Sequence, residues 1–477
     1  MKNIKIIILL LVVAIIYTSC DSTYEEVNTD PDNPTNMPAN LFLSGILRNT
    51  GNQITSSFLA GEAGSEWSQH LSKTVYNDAD YYIPRQNAIQ SLWTVSYSSI
   101  LKDADVMQRS ALADGNSDLQ GVALVIKAFT YQYLADSFGD IPMSEALSAE
   151  NFTPKYDKCE DVYTNIIAML TEADSLLNGS GSITTSQDLI YGGDWSKWKM
   201  FANSLKFRVI MRASGNSSYA VGTQLQDIVD AGNLFMSNSD QAVMTYLSAE
   251  PNANPYYEAL VNGGRTGEWC LGEELVNKML ASSDPRLPVY AQEVEGNGSG
   301  NGYRGKPAGI SNLTGTVWNS AYVSWIGEKY LEAEAPALFM TYSQLEFLMA
   351  EAAERGYISG GSAEAGTHYA NGITASCDFN GVGVGSFNVS YSGGASGLQE
   401  IAEQEWVALY MQGLESWAEQ RRTGFPVLPL AADAAVSTIP TRFNYPGTEQ
   451  SLNANSYTNA VAVQGPDELT TLIWWQK

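Results

Sequence analysis

Two stretches of the chain gather aromatic and hydrogen-bonding side chains without a helical stripe. The first holds Trp67, Tyr76, Asp78, Tyr81, Tyr82 and Arg85. The second holds Trp318, Tyr322 and Trp325 among Gly, Asn and Ser. Rings in such loops stack on the apolar C–H faces of sugars, while Asp, Asn and Arg at the rim satisfy hydroxyls. These nine residues are the candidate ligand contacts. The competing reading is that the rings pack their loops onto the body.

Catalytic motifs are missing. The sequence has no HExxH, GxSxG, GxGxxG or P-loop pattern. Its two histidines, His70 and His368, lie far apart, and each reads as structural. Cys159 reads as a packed thiol at a helix start. A glycosidase needs only two carboxylates, and 52 acidic residues make a pair easy to find by chance. A surface-tethered hydrolase therefore stays open as a minor alternative, and no catalytic residue is named. No cofactor or metal is expected: Asp30, Asp32 and Asn33 lack the rest of a calcium loop.

Charge narrows the partners. A net charge of −26 opposes nucleic acid, whose phosphates require Lys and Arg. It also opposes docking on anionic lipid through a basic patch. Four cysteines, Cys20 among them, do not make a disulfide framework.

Helices must position the candidate loops. Thr341 and Gln344 form a capping pair ahead of Leu345, Leu348, Met349, Ala352 and Ala353, which repeat at helical spacing. Glu351 and Arg355 pair at i, i+4, and Gly356 closes the helix. A second helix is expected to start at Asp157, and a third follows Asp194. A fourth, about 398–421, stops at Gly424-Phe425-Pro426. Stretches 86–112, 118–137 and 270–280 also read as helical. Trp195, Trp198, Trp406 and Trp417 sit on helical stripes and are assigned to the core. Trp474-Trp475 docks the terminus, and Arg421-Arg422 serves a helix end. Long Gly/Ser/Asn-rich segments, 291–320 and 378–397, read as loops or short hairpins.

The N-terminus carries a separate message. Lys2 and Lys5 precede an eleven-residue apolar run, Ile6 to Ile16, ending in Tyr17-Thr18-Ser19-Cys20. The run falls short of the roughly 20 residues needed to cross a bilayer, so it reads as a cleaved export signal. The Cys at the boundary resembles that of a bacterial lipoprotein signal, in which it becomes the acylated first residue. Residues 1–19 are then the signal peptide, 20–38 a polar, proline-rich tether, and 39–477 the binding body. Loss of Lys2 and Lys5 takes the net charge from −26 to −28.

Several short motifs occur in order behind that Cys. They are Asp136-Ser-Phe-Gly-Asp140-Ile-Pro142, Asp194-Trp-Ser-Lys-Trp198, Asn203-Ser-Leu-Lys-Phe-Arg208 with Met211-Arg212, Asp284-Pro-Arg286, Ala350-Glu-Ala-Ala-Glu-Arg-Gly356, Gln404-Glu-Trp406, Arg421-Arg-Thr-Gly-Phe-Pro426 and Trp474-Trp475. Together they resemble the SusD/RagB family of outer-membrane lipoproteins, within it the second SusD-like group. The resemblance implies a mostly α fold: tetratricopeptide-like helix pairs in a single large domain, with long irregular loops and minor β-hairpins. It implies lipid anchoring at the outer membrane through Cys20, exposed at the cell surface. It implies a SusC-like TonB-dependent transporter as partner and an oligosaccharide as ligand. A peptide ligand on the same fold is the alternative. In such proteins the ligand aromatics come from regions comparable to the two stretches above.

Overall fold

The computed structural model describes residues 38–148, 150–294, 302–310, 318, 321–385, 387 and 390–477. The signal peptide, Cys20 and all of the tether except Pro38 lie outside the described residues.

In chain order, α1 (Asn40–Ile54) leads through a π-helical turn, Ser57–Ser65, to β1 (Leu71–Lys73). Next come α2 (Gln86–Val95), α3 (Lys102–Ala113) and α4 (Ser117–Phe138). They are followed by α5 (Cys159–Leu176), α6 (Trp195–Ala213), α7 (Gln224–Ala231), β2 (Ala242–Met244) and β3 (Trp269–Leu271). Then come α8 (Glu273–Ser282), α9 (Leu287–Tyr290), β4 (Ala337–Met340), α10 (Tyr342–Glu354) and α11 (Gly361–Phe379). The chain closes with α12 (Gly394–Ala408), α13 (Gly413–Thr423), α14 (Gly447–Leu452) and α15 (Ala454–Gln464). The fold is mostly α, as expected. α4 packs on α5, α5 on α6 and α10 on α11. This is the neighbour-on-neighbour stacking of tetratricopeptide-like helix pairs. No described helix is long and apolar enough to cross a membrane.

α4 is the central helix. It is apolar on nearly every side and almost wholly buried, as a helix surrounded by others must be. Asn116 caps it by accepting from the Leu119 N–H at 3.1 Å. It ends at Gly139, whose φ of 84° is one that side chains rarely adopt, and a Cβ there would meet Gln464 Oε1 at 1.9 Å.

Arg212, on α6, is the ionic hub of this core and is wholly buried. Its guanidinium reaches Asp136 of α4 at 2.6 Å, and Glu415 and Glu419 of α13 at 2.7 and 2.9 Å. Asp136 also accepts from Tyr163 of α5 and from Trp475 Nε1 at 3.0 Å. The C-terminal tryptophan is thereby docked as expected. Arg422 joins α13 to Glu351 of α10, at 2.5 Å.

Several expectations hold. Thr341 accepts from the Gln344 N–H at 3.2 Å, Arg355 meets Glu351 at 2.7 Å, and Gly356 takes φ 73°. Asp194 caps α6 by accepting from the Ser196 and Lys197 N–H groups.

Others are corrected. α5 starts at Cys159, and Asp157 does not cap it. The Asp157 carboxylate accepts from Met143 and Ser144, while Asp140 takes the Cys159 N–H at 2.8 Å. The helix expected over 398–421 is two helices, α12 and α13. They divide so that the start of α13 can touch the π-helical turn: a Cβ on Gly413 would sit 1.9 Å from Ala60 O. Trp195 is not in the core. It is 37% exposed in the first turn of α6, whereas Trp198, Trp406 and Trp417 are buried.

Candidate ligand-binding site

The two aromatic stretches meet at a small patch of sheet. β1 pairs antiparallel with β3, Leu71 opposite Leu271 and Lys73 opposite Trp269. Trp325 bridges to Cys270 on the other edge of β3. Main-chain bonds complete the lacing. Leu271 N–H donates to Ser324 O at 2.9 Å, Ser324 N–H to Arg304 O at 2.8 Å, and Lys306 N–H to Leu271 O at 2.9 Å. At the end of β1, Thr74 donates to Glu268 O and Gly267 O, each at 2.8 Å. Gly267 in turn lies under the Trp325 ring: a Cβ there would sit 3.6 Å from it. Main-chain bonds thus hold together segments about two hundred residues apart.

The exposed rings of this patch are few. Tyr76 is 68% exposed, directly after Val75. Trp318, Tyr322 and Trp325 are half-buried. The Arg304 guanidinium lies 4.4 Å from the centre of the Trp318 ring, a cation–π contact that holds the ring's orientation. Tyr81 is half-buried; its hydroxyl accepts from Asn77, which also reaches Ile310 O. Asp78 is exposed at the start of the same turn, and its carbonyl accepts the Tyr81 and Ile83 N–H groups. The structure therefore carries Tyr76, Asp78 and Tyr81 on the segment that follows β1, and Tyr322 and Trp325 on the segment bonded to its partner strand β3, with Trp318 against Arg304 beside it.

Three of the expected contacts have other work. Trp67 is wholly buried. Its indole donates to Ala79 O at 3.1 Å, and its ring packs against Trp417 and Phe443 at 5.1 and 5.4 Å. Tyr82 is also buried, with its hydroxyl accepting the Ala431 N–H at 3.1 Å. Both rings staple the 78–82 turn to the core and offer no face to a ligand. Arg85 lies at the surface, but its guanidinium is committed to Glu62 through two bonds of 2.9 Å.

The floor beneath the patch is ionic, and the sequence did not reveal it. Asp80 accepts from Ser72 at 2.7 Å and from Lys306 at 2.8 Å. It thereby clasps the loop that carries Arg304 to the turn that carries Tyr81. Lys73 meets Glu62 at 2.8 Å and lies 4.1 Å from the centre of the Trp269 ring. Phe58 is flanked by Arg85 and Arg265 at 4.9 and 5.2 Å. Glu66 is buried with both carboxyl oxygens unpartnered, as is one oxygen of Asp80. Burial, and then the charge of Asp80, push the Glu66 carboxyl well above the usual carboxylate range.

The two histidines and Cys159 are occupied in packing and hydrogen bonds. His70 lies 3.5 Å from Ser416, but both are sealed in the interior, and burial drives the imidazole down to about 3. Such a histidine is neutral and meets no substrate. His368 is bound to Glu346 at 2.7 Å. Cys159 is buried and its thiol pushed up by burial, which leaves it unreactive.

The model of the SusD-like_2 family, described as starch-binding and associating with the outer membrane, matches residues 31–446. Among solved structures, a chitin-binding protein is 26% identical, with a TM-score of 0.78 over 91% of this chain and 99% of that one. A SusD homologue from Bacteroides fragilis is 25% identical, with a TM-score of 0.78 over 93% and 100%. A chitin-binding SusD homologue from Flavobacterium johnsoniae shares the fold at 23% identity, with a TM-score of 0.79 over 91% and 98%. No curated protein sequence matches the chain.

Proposed function

We propose, from the premise that this chain belongs to the SusD-like_2 family, that it binds a nutrient glycan at the bacterial outer membrane and catalyses no reaction on it. The observation that carries the reading is the set of rings Tyr76, Trp318, Tyr322 and Trp325, the first exposed and the others half-buried, on segments tied to one small sheet, with Asp78 exposed in the turn after Tyr76. Such rings cover the C–H faces of sugar units, and the rim supplies hydrogen bonds to hydroxyls. The chitin-binding names of two similar structures and the family's starch-binding description support a neutral polysaccharide. The delivery step is part of the proposal: a SusC-like TonB-dependent transporter receives the glycan, and acyl chains on Cys20 hold the body at the cell surface.

Calorimetry with purified protein and oligosaccharides tests the binding face. Trp318→Ala and Trp325→Ala are each expected to weaken binding by about 1–2 kcal/mol, roughly 5- to 30-fold, with an unchanged melting curve. Undiminished affinity in both variants would remove the face from the proposal. The anchor is tested separately. Cys20→Ala is expected to abolish incorporation of labelled fatty acid and to release the protein from the membrane fraction; a variant that stays membrane-bound refutes lipidation as the tether.

A further inference from the structure

Glu66 directly follows the π-helical turn and is buried against Asp80, on the turn that carries Asp78 and Tyr81. Both oxygens of Glu66 and Oδ1 of Asp80 meet no donor among the described residues. The other oxygen of Asp80 takes the Lys306 ammonium at 2.8 Å and the Ser72 hydroxyl at 2.7 Å, and Lys306 also reaches Ser72 at 3.0 Å. The Lys306 and Asp80 side chains are wholly shielded from water.

What this ionic bond joins gives it a role. Asp80 lies on the segment that follows β1, four residues after Tyr76. Lys306 lies two residues after Arg304, whose guanidinium holds the Trp318 ring and whose main chain bonds to Ser324, next to Trp325. The rings assigned to the glycan are therefore divided between the two segments that Lys306 and Asp80 connect. A further tie, Asn77 Nδ2 to Ile310 O, is longer at 3.3 Å and only partly buried.

The buried charges around Glu66 balance without it. Glu62 meets Lys73 at 2.8 Å, and Asp80 meets Lys306. At the rim, Arg85 also pairs with Glu62 at 2.9 Å, and Glu268 lies 4.0 Å from Lys73 and 2.7 Å from Arg265. Tyr256 and Cys270 face the cluster, and burial pushes both up, which keeps them neutral. His70 is neutral as well. α13 and α1 pack on the same turn, but Glu415 and Glu419 go to Arg212, Arg422 to Glu351 and Arg48 to Asn252. A proton on Glu66, donated to Asp80, satisfies the unpartnered oxygens that face each other and adds no charge. Without it, a third carboxylate stands in a dry site beside two ammonium groups, and a buried unmatched charge is costly until water reaches it.

We propose that Glu66 is a positioning residue: its proton keeps Asp80 on Lys306, and so holds the Tyr76 segment and the Trp318–Trp325 segment in the placement that a glycan requires. Loss of the proton admits water between them and weakens the grip. The inference rests on the glycan-binding reading above and supplies a control of that same site. Binding then favours the protonated form. Affinity is complete below the ordinary glutamate value of 4.5 and falls as pH rises toward the folded-state value, which burial sets well above it.

Calorimetry with maltoheptaose and chitohexaose, in two buffers of different ionisation enthalpy, counts the protons exchanged on binding. Between about pH 6 and 8, the unsubstituted protein is expected to take up protons with whichever oligosaccharide binds. Its affinity is expected to fall at least about fivefold from about pH 5 to about pH 8. Glu66→Gln keeps a donor toward Asp80 and cannot titrate, so its affinity is expected to stay flat over that range with no proton uptake. Melting curves at about pH 5 control for folding, and the proton count on the unsubstituted protein decides without the variant. Binding with no proton uptake, or parallel affinity profiles for the two proteins, overturns the role of Glu66 and leaves the glycan reading standing. Failure of both oligosaccharides to bind at about pH 5 removes that reading and this inference with it.

Discussion

Arg212→Met is expected to lower the unfolding free energy by about 3–5 kcal/mol, the usual cost of removing one partner from a buried ionic cluster. Arg212 is wholly buried, with Asp136, Glu415 and Glu419 all within 2.9 Å of its guanidinium. Methionine fills much of the same volume, so cavity formation adds little. The loss comes chiefly from Asp136, whose carboxylate pairs with no other cation among the described residues, whereas Glu419 keeps Arg422 at 2.7 Å and Glu415 keeps Arg208 at 3.7 Å. The three carboxylates sit on α4 and α13, and Asp136 also holds Trp475, so the C-terminal docking is expected to loosen as well. Urea unfolding measures the change, and Arg355→Met is the comparator. Arg355 also pairs with a buried glutamate, Glu351, but its own side chain is 38% exposed and Glu351 keeps Arg422. Its loss is expected to be below about 1 kcal/mol. Equal effects at the two arginines would refute the role of Arg212 as the hub.

The second large effect is on pH dependence. Glu66 is buried among Glu62, Asp80 and Lys73, with Lys306 bound to Asp80. Two adjacent carboxyls with unpartnered oxygens are satisfied together when one proton lies between them, Glu66 donating to Asp80. The folded chain therefore holds this proton more tightly than the unfolded chain, where the ordinary glutamate value of 4.5 applies. Below that value the contribution to stability is complete. As pH rises toward the folded pKa it is lost, at up to about 1.4 kcal/mol per pH unit. Glu66→Gln keeps the donor and removes the titration. Across roughly pH 5–8 the variant is expected to lose less stability than the parent, and to be the more stable at the alkaline end. Parallel stability curves for the two proteins would exclude a shared proton.

What the sequence disclosed was mainly local. The caps at Thr341 and Asp194 and the core tryptophans of α6, α12 and α13 were legible because a cap or a stripe is written in adjacent residues. The division of α12 from α13 was not, because its cause is the approach of Gly413 to the Gly64 region, over three hundred residues earlier. Asp157 misled for a similar reason: the residue that caps α5 is Asp140, on the far side of a turn. At the site, a ring in a loop has the same one-dimensional signature whether it faces outward like Tyr76 or inward like Trp67. Only packing against Trp417 and Phe443 separates the two. The ionic floor left no trace either, since strands of three residues are too short to show alternation, and Lys306 finds Asp80 from 226 positions away.

The lacing of Ser324 and Lys306 onto β3 uses amide and carbonyl groups alone. Any residue except proline supplies both. The strand pairing is thus written in a backbone largely indifferent to identity, with the Lys306 side chain on Asp80 as a buried ionic clasp, while the half-buried rings at 318, 322 and 325 lie outside that pairing network. On the proposed glycan-binding reading, the rings at 318, 322 and 325 can be exchanged while the strands beneath them stay paired, so that a change of ligand needs point mutations and no new fold.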